Sequence, residues 1–484
     1  MAESFFWYDL ETSGISPREA RVMQFAGQRT DINLQPIGEP VNALVKLSED
    51  ILPDPDAVMI TGITPQSTSQ DGLTEAEFLQ FFHEEVATPG TIFVGYNTVR
   101  FDDEFMRFMH YRNFYDAYEW GYKDGKSRWD LLDVVRMTRA LRPEGIEWPM
   151  TDDGKPTNRL ELLTKANGLD HEHAHDALND VLATIAVAGL IKTKQPKLFD
   201  WLLNRRDKKA VAAFLETNPT FIYSSGTYAN EVEKTAVVHL LRPEQGGNHP
   251  ALVYDLRHDP TEFAGMTPEQ LVERLRYNKD PEAPARLPVK QLKYNQCPAV
   301  SPTGILSDAG VQKRLQVTPE QVSTNLAKLK AAPDFVTKVI AAYDSLDQER
   351  KAEWGKSSSD ADSALYDGGF FDDNDKRVMS TVRSSSVKQL SELEADFHDM
   401  RLNTLFPRYK ARNFPSSLSD EERTTWERYR YDALLGGGTE SKMAKFARRL
   451  GELAETAAGK EHAFLLEELQ LYAESIMPVT DTDQ

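Results

Sequence analysis

The stretch FFWYDLETSG, Phe5 to Gly14, constrains the chain most. Five large apolar or aromatic residues fill the six positions from Phe5, and Asp9 and Glu11 stand one residue apart. So apolar a run reads as a buried strand. In a strand, residues i and i+2 point to the same face, so the strand end presents two carboxylates side by side. Left alone they repel, and one takes up a proton. A divalent cation neutralises both, and hard ions such as Mg²⁺ favour carboxylate oxygens while keeping positions open for water and substrate phosphate. The other reading of the pair is a solvated strand end.

The segments that follow alternate strand-like and helix-like patterns up to about residue 195. VMQFAGQRTD, PVNALVKL and TIFVGYN read as further strands. TEAEFLQFFHEEV reads as a helix with Thr74 as N-cap and Glu77 closing a capping box. DLLDVVRMTRALR, RLELLTKANG (stopped by Gly168) and HDALNDVLATIAVAGLIK read as helices. The pattern predicts an α/β domain, a mixed sheet flanked by helices. From about 200 to 350, KTAVVHLL, PALVYDL and PVKQLKYNQ alternate like antiparallel strands, with TPEQLVERLRY the one clear helix. KSSSDADS, 356 to 363, reads as a linker before an α-helical last part. Domain boundaries are therefore expected at 1–197, 198–352 and 353–484, in keeping with a length of 484 residues. LLGGGTE, 434 to 440, lacks the Gly-Lys-Ser/Thr ending of a P-loop and reads as a turn.

No apolar stretch approaches the roughly 18–20 residues of a membrane helix, and the acidic MAESFF start is unlike a secretory signal. The expected setting is cytoplasmic, without membrane contact. The single cysteine, Cys297, excludes an internal disulfide and reads as filler. A net charge of −20 argues against a nucleic-acid partner when taken as a sum, yet a basic groove can exist on an acidic protein.

Two more segments bear on the carboxylate pair. In VGYNTVRFDDEF a strand runs into Asn97, and Phe101-Asp102 opens a helix; Asp102 either reaches a shared site at the sheet's edge or serves as a first-turn helix charge. In EHAHDALNDVLATI, His175 and Asp180 are five residues apart. Mid-helix they would diverge by about 140°, so His175 must lie at the helix entry if both serve one centre. His171 and His175, at i,i+4, leave a zinc site as the alternative, although no third soft ligand lies nearby.

Asp9-x-Glu11, Asn97-x3-Phe101-Asp102 and His175-x4-Asp180 resemble, in order and spacing, the three motifs of the DEDDh exonuclease superfamily. The resemblance extends to ITGITPQ, RNFYD, SRWDLLDV, LRPEGIEWP, RLELLTKANG and RYKARNFP, which are similar to the bacterial exodeoxyribonuclease I family. It implies an RNase H-like exonuclease domain, a β-rich SH3-like domain and a C-terminal helical domain. It also implies processive 3′–5′ degradation of single-stranded DNA to 5′-mononucleotides in DNA repair and recombination. Asp9, Glu11, Asp102 and Asp180 would hold two Mg²⁺ ions, with Mn²⁺ able to substitute, and Glu11 and His175 would be catalytic, His175 as general base. The implied partners are single-stranded DNA and the acidic C-terminal tail of single-stranded DNA-binding protein, with a monomer as the default state.

Candidate phosphate contacts are Arg107, Arg136, Arg142 and Arg159, because guanidinium matches phosphate oxygens bidentately; the alternative for each is a surface ion pair. Thr12, Ser13, Thr61, Gly62 and Asn97 are candidates for holding the terminal nucleotide. The run 192–209 carries seven Lys or Arg against two Asp, with Phe199 and Trp201 interleaved. It is either a DNA-guiding surface or an interdomain helix with a buried aromatic edge. Phe406, Arg408 and Tyr409 are read as either a strand clamp or packing. Three rival functions remain at this point: an RNA exonuclease or proofreading subunit, a binding protein on an inactive nuclease fold, and a zinc hydrolase.

Overall fold

The computed structural model describes residues 3–169, 176–246, 249–280, 282–354 and 360–478. The first sheet has the order β3-β2-β1-β4-β5, built from β1 (Ser4–Thr12), β2 (Val22–Thr30), β3 (Val41–Leu44), β4 (Thr91–Gly95) and β5 (Ser127–Asp130). β1 pairs antiparallel with β2 and parallel with β4, and β5 continues the sheet parallel to β4. This mixed sheet with helices on both faces is the architecture expected for the first part.

β1 is central and covered on both sides, which is why its apolar run is nearly continuous. Phe5 and Trp7 join a core with the helix Ala177–Lys194, while Phe6, Tyr8 and Leu10 pack under the helices Glu75–Phe81 and Asp102–Arg112. Thr74 caps the first of those two helices, with the reciprocal bond from Glu77 present. The strand ends in a register shift between Glu11 and Thr12, an irregularity that re-aims side chains at a sheet edge.

The second sheet is antiparallel, with the order β10-β6-β7-β8-β9: β6 (Thr220–Ser224), β7 (Thr235–Arg242), β8 (Ala251–Asp255), β9 (Val289–Leu292) and β10 (Ala299–Pro302). Its surroundings correct the expectation of a single helix here. Ala309–Leu315, Pro319–Lys330 and Pro333–Trp354 are helical as well. In the longest of them Phe335, Val339, Ala342 and Leu346 recur at a helical period and enter the same core as Trp7. The apolar interior thus runs without a break from the first sheet into the second.

The last part is helical, as expected, and docks on the first through Phe108, Tyr111 and Phe114, which pack with Leu402, Leu405 and Tyr409. The KSSSDADS segment needs a second correction. Residues 355–359 lie outside the described residues, but Asp362 is an anchor rather than a solvated linker residue, because its carboxylate accepts from Arg408 and Arg412. Arg412 also grips Asp50 of the first part, with Nη2 2.7 Å from Oδ2. Both carboxylates are 2% exposed, so this ion cluster is sealed into the seam. The Gly-rich segment near 436 is a turn, with Gly437 and Gly438 at positive φ.

Candidate active site

Asp9 and Glu11 lie on one face of β1, the face covered by the helix Ala177–Lys194. Asp176 caps that helix by accepting from the N–H of Asn179, and Asp180 falls in its first turn. Carboxylate oxygens of Asp9, Glu11 and Asp180 come within 4.8 Å of one another. Asp102 opens the helix Asp102–Arg112 at the adjoining edge and is buried.

Burial raises Asp9, Glu11 and Asp102. It pushes the Asp9 carboxyl well above its usual range, and the charges of Asp102 and Asp180 add to the effect. Glu11 is pushed up to about 9, by burial first and then by Asp9, Asp180 and Asp176. Asp102 is also held well above its usual range by burial, against the pull of backbone N–H groups of Asp102 and Leu10. Such a corner carries protons at neutral pH unless a cation compensates it. A donor set made only of carboxylate oxygens suits a hard divalent ion. The residues present therefore fit a divalent metal centre. His171, His173 and His175 lie outside the described residues, and with them the zinc alternative and the histidine of the third motif.

A cleft of about 510 Å³ opens over Asp9 and Asp180 and is bordered by Asn97, Arg136 and Arg159. Asn97 sits in the left-handed region, φ 71°, with its N–H held by Asp130 at 3.0 Å. That turn leads the chain from β4 towards Asp102. Arg136 donates to Asp133, at 2.7 Å, yet its Nε has no acceptor. Arg159 is exposed and pairs with no carboxylate among the described residues. Arg139 fixes the cleft wall: its guanidinium donates to the carbonyls of Pro149 and Thr157 and pairs with Glu233.

The structure does not bring every candidate to this cleft. Arg107 is held by Glu104 and faces a different cavity, and Arg142 ends the helix Leu131–Leu141 away from Asp9. The Thr12 hydroxyl donates to the Gly14 carbonyl and Ser13 Oγ accepts from the N–H of Arg21, so both are already engaged. Thr61 ends the helix Pro55–Thr61, and Gly62 caps it at φ 70°. Phe199 is wholly buried against Trp129, and Trp201 donates to the Val300 carbonyl while Arg205 covers its ring. The aromatic edge of the basic run is therefore interior. Arg408 and Tyr409 likewise serve packing and ion pairing at the seam.

Sequence reasoning missed Asn230 and Lys234, which reach this cleft from the turn before β7. Glu233 and Lys234 both have positive φ, 52° and 53°, a costly conformation for side-chain-bearing residues. No spacing rule connects them to Asp9, because only the docking of the second sheet on the first brings them there.

Three family models cover almost the whole chain: Exonuclease over residues 6–188, Exonuclease I SH3-like domain over 206–345, and Exonuclease I C-terminal domain over 359–476. Exodeoxyribonuclease I of Haemophilus influenzae is 39% identical, over 97% of this chain and 98% of its own. The chain belongs to the exodeoxyribonuclease I family. Among solved family structures, Escherichia coli exonuclease I in complex with a dA16 oligonucleotide has a TM-score of 0.91 at 39% identity, covering 98% of this chain and 100% of its own. An SSB/exonuclease I structure in complex with the inhibitor CFAM has a TM-score of 0.87 at 38% identity, with the same coverage. The RNase H-like, SH3-like and helical parts expected of an exodeoxyribonuclease I correspond to the three matched models in the same order. No helix among the described residues is long and apolar enough to cross a membrane.

Proposed function

We propose that the protein is a Mg²⁺-dependent 3′–5′ exonuclease that degrades single-stranded DNA processively to 5′-mononucleotides, in DNA repair and recombination. The convergence of Asp9, Glu11 and Asp180 within 4.8 Å carries the reading, in a chain whose full-length relatives are exodeoxyribonucleases. Domain limits at 1–197, 198–352 and 353–484 accompany it.

Asp9, Glu11, Asp102 and Asp180 would hold the ions. Two bound Mg²⁺, or Mn²⁺ in their place, supply a nucleophilic water and charge neutralisation at the leaving 3′-oxygen in an in-line displacement. His175 accepts the water's proton, a task suited to an imidazole whose ordinary pKa lies near neutrality. Arg136 and Arg159, at the cleft's rim, bind phosphates of the strand, and Asn97 orients the terminal nucleotide. The oligonucleotide-bound relative supports single-stranded DNA as substrate, and the SSB-bound one supports the acidic tail of a single-stranded DNA-binding protein as a partner. Monomer is the expected state.

The test is digestion of end-labelled single-stranded DNA, with RNA and mismatched duplex ends run alongside. Label at the 3′ end should be released first and label at the 5′ end last. Chelation should stop the reaction, and Mg²⁺ should restore it. Equal turnover of RNA would favour the first rival function, and restoration by zinc alone would favour the hydrolase.

A second expectation concerns Lys234. Its ammonium lies in the cleft with Arg136, donating to the Gly226 carbonyl at 3.3 Å. Lys234→Ala should weaken single-strand binding about 3–10-fold and lower the slope of log affinity against log salt by about 0.7, the share of one phosphate contact. Binding titrations at several salt concentrations decide this; an unchanged slope removes Lys234 from the strand's path.

A further inference from the structure

A second cavity, of about 400 Å³, lies on the seam between the first sheet's domain and the C-terminal helices. It shares no lining residue with the cleft over Asp9. Arg21 and Arg412 line it from the buried side, and Lys46 and Arg423 are exposed at its rim. Its carboxylates are Glu49, Glu75 and Glu427.

Charge accounting separates the two groups. Glu75 is bound by Arg112, Nη2 to Oε1 2.9 Å, and by Asn113. Glu427 is bound by Arg430 at 2.7 Å, and Glu49 lies 3.9 Å from the same guanidinium. Glu75 and Glu427 are thus held first by Arg112 and Arg430, cations outside the lining, with Arg21 adding to the field on Glu75. Lys46 and Arg423 pair with no carboxylate among the described residues. Arg21 has no close carboxylate: its Nη2 is 3.8 Å from Asp362, its Nη1 donates to the carbonyls of Glu19 and Ala20, and its Nε, wholly buried, has no acceptor. Burial first, then the charges of Arg112 and Arg412, lower Arg21 to about 10, with Asp362 and Glu75 offsetting them only in part.

We propose that this seam cavity binds a phosphomonoester-class dianion between Lys46 of the first domain and Arg423 of the C-terminal helices. Guanidinium and ammonium groups converging on a concave site recognise phosphate oxygens, and the volume falls within the range of small-molecule sites. The dianion bridges cations from two domains and so tightens their docking. Free inorganic phosphate and the 5′-phosphate of a mononucleotide share this chemistry. The inference does not depend on the nuclease reading.

The experiment is calorimetric titration and thermal unfolding of the full chain in chelator. The probes are inorganic phosphate and a deoxynucleoside 5′-monophosphate, with chloride at matched ionic strength as control. Saturable binding tighter than about 1 mM and a raised Tm are expected with at least one probe, and the tighter probe identifies the source. In the double variant Lys46→Ala/Arg423→Ala, affinity should fall at least tenfold while DNA hydrolysis stays within twofold of the unaltered chain. Both side chains are exposed and unpaired, so the variant should fold. Absence of saturable binding overturns the proposal, as does undiminished affinity in the double variant. Loss of hydrolysis in that variant also overturns it, by assigning the two cations to the DNA path.

Discussion

Asp9→Ala should lower the rate of single-stranded DNA hydrolysis by about 10³-fold or more, while single-strand affinity stays within a few-fold. The size follows from what the carboxylate is asked to do. Charge stabilisation by bound metal contributes several kcal/mol to a phosphoryl displacement, and about 4 kcal/mol is three decades of rate. Asp9 is the common neighbour in this corner: its charge raises Glu11, and it is itself raised by Asp102 and Asp180. Removing it relieves repulsion in the metal-free protein, so the variant should unfold no more easily than the unaltered chain in chelator. The cleft's cations, Arg136, Arg159 and Lys234, remain in place to hold the strand. Single-turnover digestion and binding isotherms on the same preparation check both halves. Turnover within tenfold of the unaltered protein would remove Asp9 from the metal site and the nuclease assignment with it.

The second large effect is expected at the seam with the last helices. Arg412→Ala should cost about 3–5 kcal/mol, because it leaves two buried carboxylates without their shared partner. Arg412 donates through Nε and Nη2 to Asp50 and through Nη1 and Nη2 to Asp362. Burial alone would push Asp362 up; Arg412, Arg21 and Arg408 outweigh it and hold the carboxyl well below its usual range. Asp50 behaves likewise, with burial opposed by Arg412 and Arg21 and a lowered pKa as the result. The sign for pH follows from these depressed values. An acid whose folded pKa lies below its unfolded value, about 3.9 for Asp, contributes stability above that value and loses it as pH falls towards the folded pKa. The unaltered protein should therefore lose the seam's contribution only below about pH 4. In Arg412→Ala burial is less opposed and the two carboxyls rise, so the stability gap to the parent should be widest near neutral pH and narrow below about pH 4. Denaturant titrations between pH 3 and pH 7, followed by tryptophan fluorescence, measure this. A variant as stable as the parent at pH 7 would show that the cluster merely tolerates its own burial.

The core of the first domain and the carboxylate corner of Asp9, Glu11 and Asp180 were legible because their signals are local. A strand places Asp9 and Glu11 on one face whatever surrounds it, and a first-turn position gives Asp102 and Asp180 their settings. The capping box at Thr74 was equally readable, since both partners lie within four residues. The helices 309–354 were also written in the sequence, as a helical apolar period. Alternation in the neighbouring segments drew the expectation towards strands with a single helix.

Other features depended on distant parts of the chain. Which residues lie on one face of a strand or in one turn of a helix is readable from the chain alone, because those relations follow from backbone geometry over a few positions. Long-range packing brings Asn230 and Lys234 to the cleft and leaves Arg107 and Arg142 outside it. It alone buried Phe199 and turned Asp362 from a linker acid into the anchor of a sealed ion cluster. Burial and charge pairing are properties of what packs around a side chain, and at separations such as the 362 residues between Asp50 and Arg412 no local pattern carries them.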